Sequence, residues 1–236
     1  MSSPDPTAVQ ATFTSVAPHY DLANHLLSGG IDFLWRKNLV ELARKGSHQD
    51  ILDLATGSGD VAFALRHGLP KDVHITGVDF CEPMLEQARG KRGKQGLSPD
   101  DNQFLVGDCL DLEFADESFD LITIAFGLRN LENRKRGLSE MLRVLKPGGR
   151  MIVLEFSQPY FWFRPLYYFY LKGILPWLAR WVTGDRDAYL YLGSSISDFP
   201  GRSGLSRELE EAGFSQVQCK ALTFSIVALH VGVKER

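Results

Sequence analysis

The stretch Ile51-Leu52-Asp53-Leu54-Ala55-Thr56-Gly57-Ser58-Gly59-Asp60 constrains this chain more than any other. An apolar run of strand length ends in a Gly-x-Gly turn, and Val61, Ala62, Ala64 and Leu65 follow at helical spacing. That order predicts a buried strand, a tight loop and a helix whose N-terminus faces the loop. Glycine at 57 and 59 lets the backbone come close to a bound molecule, because no Cβ stands in the way. The free N–H groups of the helix start offer donors to an anion or a carboxylate.

The same rhythm continues downstream. Strands are expected at Val73–Val78, Phe104–Val106, Phe119–Phe126 and Met151–Phe156, with helices opening at Pro83 and running from about Asn133 to Leu145. Gly90 to Asp101 reads as a loop. The helix Gly204–Ala212 then leads into two strands, Phe214–Lys220 and Phe224–Val233, close enough to form an antiparallel hairpin. Strand–helix alternation implies an α/β fold, a Rossmann-like doubly wound sheet that is mostly parallel. At 236 residues one such domain is expected. Its parts are an N-terminal helical lid (1–48), a cofactor-binding core (49–156), an aromatic helical insertion (157–203) and a C-terminal helix with the hairpin (204–236).

Ligands of such sheets bind at the carboxyl ends of the strands. Asp79 ends the second strand, 20 residues after Gly59, where a carboxylate can accept from both hydroxyls of a ribose. Asp108 can accept from an adenine amino group, and Cys109 offers its backbone N–H to a ring nitrogen. Asp53 either holds the loop through backbone N–H groups or pairs with a ligand ammonium. An adenosine-bearing cofactor follows. Gly57-x-Gly59-x-x-Ala62 also satisfies the nicotinamide fingerprint, so a nicotinamide oxidoreductase is the rival reading. Asp53 ahead of the turn, Asp108 as a second acidic strand end and the Lys146-Pro147-Gly148-Gly149 turn favour S-adenosylmethionine.

These same residues resemble the class I methyltransferases, and the chain is most similar to the quinone C-methyltransferases of menaquinone and ubiquinone biosynthesis. The resemblance is carried by Tyr20-Asp21-Leu22, Trp35-Arg36, Asp53-Leu54-Ala55 with Gly57-x-Gly59-Asp60, and Phe126-Gly127-Leu128-Arg129-Asn130-Leu131. Arg143-Val144-Leu145-Lys146-Pro147-Gly148-Gly149, Leu154-Glu155-Phe156-Ser157, Tyr189-x-Tyr191-Leu192 and Ala228-Leu229-His230 continue it. It implies that Asp53, Gly57, Ser58, Gly59, Asp79, Asp108, Cys109 and Ala125 bind S-adenosylmethionine. Ser58 stands where the family usually has Thr, Asp108-Cys109 where it often has Asn-Ala, and Thr56 where glycine is common. It implies a reduced polyprenyl quinone as acceptor, demethylmenaquinol before a benzoquinol. Arg129 then stabilises a developing phenolate, Asn130 orients the ring and Tyr20 closes the site from the lid. Arg129 is not a simple base, since a guanidinium stays protonated. Methylation of another lipid-like acceptor, and a non-catalytic cofactor-binding subunit, are the other readings.

Ten aromatic residues crowd Tyr160 to Val182, but Arg164, Lys172, Arg180, Pro165 and Pro176 interrupt the run, against a membrane span. The segment suits a helical insertion, a homodimer contact, or an apolar wall for a polyprenyl tail at a membrane surface. The net charge of −3 gives no reason to expect nucleic acid. Cys81, Cys109 and Cys219 lack zinc or CxxC spacing, so no metal is expected. Met1–Gln10 lacks the basic and apolar regions of a signal peptide, so a cytoplasmic location is expected.

Overall fold

The structure, a computed structural model, describes residues 7, 9, 10, 14, 28–175 and 186–236, with the backbone alone for 186–190. Most of the expected N-terminal lid before residue 28 lies outside the described residues, Tyr20 and Asp21 included. Trp177 and Trp181 do too.

Seven strands form one sheet: β1 (Asp50–Leu54), β2 (His74–Asp79), β3 (Gln103–Val106), β4 (Phe119–Ala125), β5 (Leu145–Phe156), β6 (Ser215–Leu222) and β7 (Val227–Val233). Their order is β3-β2-β1-β4-β5-β7-β6. β1 to β5 run parallel, and β7 inserts antiparallel between β5 and β6. The central strands are apolar and buried, as strands covered on both faces must be. The winding direction reverses between β1 and β4, where Leu54 pairs with Ile124. The site lies above that reversal.

On one face pack α1 (Ile31–Ala43), α2 (Asp60–Gly68) and α3 (Glu82–Lys94), through Trp35, Leu39, Phe63, Leu65 and Leu85. On the other lie α4 (Arg134–Val144) and α7 (Arg202–Glu211), through Leu138, Met141, Leu205 and Leu209. A third, smaller cluster of Tyr167, Leu171, Leu175 and Ile196 joins α5 (Arg164–Phe169), the π-helical turn Tyr170–Ile174 and α6 (Arg186–Asp198). The described part of the insertion thus contains helices that share a small core of their own. Among the described residues no helix is long and apolar enough to cross a membrane.

Three local expectations change. The loop expected from Gly90 is helix as far as Lys94; basic Lys91, Arg92 and Lys94 suit a helix C-terminus, and Arg92 donates to the carbonyl of Asn102. The last strand begins at Val227 rather than Phe224, because Thr223, Phe224 and Ser225 all adopt positive φ, at 43°, 54° and 68°. Helix α1 forms as its periodicity predicts, yet Ile31, Phe33 and Leu34 in its first turn stay exposed.

Candidate functional site

Sequence builds the loop after β1 in a strained form. Ala55 takes φ +49°, and Gly57 and Gly59 take +55° and +85°. A Cβ on Gly59 would meet the rings of Phe63 at 2.8 Å and Phe104 at 3.0 Å. Glycine is therefore required at 59 twice over, for its left-handed backbone and for the close approach of α3 and β3.

Two buried carboxylates hold this loop. Asp53 accepts the Thr56 and Thr123 hydroxyls, both at 2.6 Å. Asp79 accepts the backbone N–H groups of Gly57 at 2.8 Å and Cys81 at 2.9 Å. Burial pushes the Asp53 carboxyl up to about 6, against the lowering effect of its two hydroxyl partners. Burial also raises Asp79, against its backbone donors. Among the described residues neither carboxylate has a cationic partner within salt-bridge distance. Each oxygen keeps acceptor capacity beyond its one strong bond. Of the two openings left by the sequence for Asp53, loop-holding is what the contacts display, through side-chain hydroxyls more than backbone.

Ser58 is buried, its hydroxyl accepting from Lys91 Nζ at 2.9 Å, and Lys91 also reaches Asp60 at 2.8 Å. Arg36 of α1 pairs with Asp60 at 3.1 Å, so α1 and α3 both brace the start of α2. Cys109 is buried, and burial lifts its thiol to about 12, against a hydrogen bond with the Ala55 backbone. Asp108 is exposed; it accepts from the Leu110 N–H and lines a cleft of about 390 Å³ with Val78, Leu105 and Leu112. No helix separates β3 from β4, and this loop makes the whole connection. From the N-terminal segment, Gln10 donates to the Phe80 carbonyl at 3.3 Å, and the Thr14 hydroxyl lies 3.6 Å from Cys81 Sγ. That segment therefore lies over the end of β2, beside Asp79.

β4 closes the site's far side. Ala125 ends it, half-buried, and Phe126 follows with φ +56°. Phe126 packs on Trp35 and Phe156 at ring distances of 5.8 and 4.9 Å. Leu128–Asn130 is a 3-10 turn that turns Arg129 inward, where it is buried. Its Nη1 pairs with Glu155 at 2.9 Å and also donates to the Phe126 carbonyl. The guanidinium lies 5.2 Å from the Phe156 ring centre, and its Nε is buried with no acceptor among the described residues. Asn130 accepts the Tyr191 hydroxyl on Oδ1 at 3.2 Å. Tyr20 lies outside the described residues.

Glu155, Tyr191, Thr123 and Lys91 are the neighbours that a reading by motif assigned no role. Glu155 leaves a sequence signal: a charge at the end of the apolar run Met151–Leu154. Tyr191 lies in a string that carries the resemblance, but its partner, like that of Lys91, was not legible, the two lying 61 and 33 residues away.

The chemistry of this donor set separates the two cofactor readings. Asp79 suits a ribose diol in either reading, but the buried Asp53 beneath the loop opposes a pyrophosphate there and suits a ligand that carries a cation. S-adenosylmethionine, with its sulfonium, ammonium and ribose, fits; Asp79, Asp53 and the Gly57–Gly59 loop are the residues that would hold it.

Comparison with known proteins agrees. Solved structures with the same fold include the [4+2]-cyclase SpnF, at TM-score 0.71 and 18% identity over 100% of this chain and 98% of that one. Phosphoethanolamine N-methyltransferase 2 of Haemonchus contortus, solved with S-adenosyl-L-methionine, gives 0.62 and 16% over 86% of this chain and 53% of that one. Among sequences, a demethylmenaquinone methyltransferase of Thermus thermophilus is 44% identical over 93% of this chain and 98% of its own length. A ubiquinone/menaquinone biosynthesis C-methyltransferase of Geotalea daltonii is 41% identical over 96% of each. The ubiE/COQ5 methyltransferase family matches residues 1–234, nearly the whole chain, and with the loop, the acids and the post-β4 turn in place this chain belongs to that family.

Proposed function

We propose that this chain is an S-adenosylmethionine-dependent C-methyltransferase that converts demethylmenaquinol to menaquinol. The relatives named for that reaction support the acceptor. The observation that carries the chemistry is the pairing of two kinds of group across the β1–β4 reversal. Among the described residues, buried carboxylates without cations lie on one side, and a buried guanidinium with an unused N–H lies on the other.

S-adenosylmethionine supplies an electrophilic methyl group on a sulfonium. Asp53 and Asp79 offset positive charge on the loop side. Arg129 faces the acceptor and stabilises the quinol oxygen as it gains negative charge, while Asn130 orients the ring through its amide N–H. Positioning and charge control are then the enzyme's main contributions. The N-terminal segment that touches Phe80 and Cys81 acts as a lid, and Tyr20 belongs to it.

The acceptor's prenyl tail calls for an apolar exit. Phe161, Trp162, Leu166, Phe169 and Phe224 are all exposed, and Phe156 and Phe163 pack on the cluster at Tyr167. Arg202 lies 5.3 Å from the Tyr160 ring centre and Lys172 5.2 Å from that of Tyr168. Aromatic residues with cations at their rim suit the cytoplasmic surface of a membrane, from which a lipid-borne quinol can be drawn. The test is mass spectrometry of products from purified protein, S-adenosylmethionine and each reduced quinone. Methylated naphthoquinol is expected; methylation of the benzoquinol alone would reassign the acceptor, and no methylation of either would end the reading.

A further inference from the structure

Glu155 is a charged residue at the end of a strand whose neighbours, Met151 to Leu154, are all buried and apolar. A carboxylate in such a place is retained only with compensation, because desolvation costs several kcal/mol. Arg129 compensates it with two hydrogen bonds. Oε1 accepts from Arg129 Nη1 at 2.9 Å, Oε2 accepts from the Arg129 backbone N–H at 3.2 Å, and Phe126, which precedes the turn, shares Nη1. The Phe156 N–H adds a bond of 2.8 Å to Oε1.

This arrangement uses one corner of the guanidinium and leaves one edge. Nη1 carries two hydrogens and meets two acceptors. Nε is buried with no acceptor among the described residues. In a planar guanidinium Nε and Nη2 form the edge that presents two parallel N–H groups to a single oxygen or a pair of oxygens. With one corner pinned by Glu155 and one face on the Phe156 ring, the plane cannot turn that edge away. Asn130 has the same logic on a smaller scale, since Tyr191 takes its Oδ1 and so sets which way the amide N–H groups point.

We infer that Glu155 is a positioning residue for the methyl transfer, fixing Arg129 so that its Nε–Nη2 edge meets the acceptor oxygen. The inference rests on the acceptor chemistry proposed above. It assigns Glu155 no proton to carry, and it predicts that Glu155 matters only through Arg129.

The test is a double-mutant cycle in the full chain, with an independent spectroscopic readout. Glu155→Gln should lower kcat by about 100-fold, the scale of a misplaced catalytic group. Its Kd for S-adenosylmethionine should stay within about 2-fold, a ratio small against the tenfold that 1.4 kcal/mol represents. Glu155→Asp, which keeps the charge, should recover part of the loss. In an Arg129→Ala background Glu155→Gln should cost nothing further in kcat. Wild-type kcat in Glu155→Gln, or losses that multiply across the cycle, would overturn the inference. Without any acceptor present, the Arg129 Nε–H should give a slowly exchanging 15N resonance in the wild type that Glu155→Gln loses. An unchanged resonance would overturn the inference even if no quinol were ever methylated, whereas a changed resonance with no turnover would count against the acceptor reading alone.

Discussion

A Cβ placed on Gly127 would stand 2.3 Å from the Cβ of Ala55. Those two residues follow the ends of β4 and β1, so the loops of the two halves of the sheet approach closely at the mouth of the site. Neither side can yield easily: Ala55 already holds a left-handed φ, and Gly127 sits between Phe126, also left-handed, and the turn that carries Arg129. Gly127→Ala is therefore expected to cost about 1–3 kcal/mol by overpacking and to weaken S-adenosylmethionine binding. Ala55→Gly in the same chain should restore much of both. Thermal unfolding and calorimetric titration check this, and an additive double variant would contradict the contact.

Asp53 gives the site a pH dependence of definite sign. Its folded-state pKa of about 6 lies above the ordinary 3.8, burial being the main cause. An acid raised in this way binds its proton more tightly in the native state, so its burial penalty is absent below about pH 4 and fully present above about pH 6. The span corresponds to roughly 3 kcal/mol at about 1.4 kcal/mol per pKa unit. The stability difference between wild type and Asp53→Asn should shift by that order between pH 4 and pH 8, with the variant gaining on the wild type as pH rises. A cation bound beside Asp53 favours its ionised form, so S-adenosylmethionine should bind with proton release near pH 6. Calorimetry in buffers of different ionisation enthalpy reads that proton directly.

Arg129→Ala should separate stability from binding. It removes the guanidinium but leaves Glu155 buried and unpaired, and breaking a buried pair from one side typically costs about 3–5 kcal/mol. A sharp fall in Tm is expected, with kcat lost far beyond any change in S-adenosylmethionine affinity. Replacing both partners, Arg129→Met with Glu155→Gln, should recover most of the Tm and none of the activity. Equal losses in turnover and cofactor affinity would remove Arg129 from the acceptor side of the site.

The loop, the parallel core and the strand-end acids were legible because each depends on short-range pattern: an apolar run, a Gly-x-Gly turn, an acid at a fixed distance. The insertion's helical character was legible in the same way. What contacts each site residue was not. Asp53 and Thr123 meet across 70 residues, and Asn130 and Tyr191 across 61, because strand pairing and helix packing bring them together. Asp108, an adenine candidate from its place at a strand end, stands in an exposed turn beside a cleft with the Leu110 N–H on Oδ1; which residues share that cleft was not legible. The left-handed run at Thr223 was invisible for a different reason. Phe224 and Ser225 fall within the expected last strand, and only tertiary contacts hold them otherwise.

Those contacts are identifiable. The Trp35 indole donates to the Thr223 hydroxyl at 2.7 Å, and the Ser225 hydroxyl donates to the Gln158 carbonyl at 2.9 Å. Tyr160 donates its backbone N–H to the Phe224 carbonyl at 3.1 Å. Left-handed backbone costs roughly 1–2 kcal/mol for each residue with a Cβ. The result is Phe224 held outward, 53% exposed, with its ring 5.0 Å from Phe163 and 5.5 Å from Trp162. The strained turn thus holds a half-exposed ring at the rim of the aromatic patch, and under the proposed function that ring is placed to meet the acceptor's tail. Phe224→Gly is expected to leave Tm unchanged or raise it, by up to about 1 kcal/mol of relieved strain. It should raise KM for a long-tailed quinol while leaving a tailless analogue unaffected. Phe224→Ala should show the same loss for the long tail without the gain in Tm, because alanine keeps the Cβ. If the two acceptors responded alike, the ring would have no part in holding the tail.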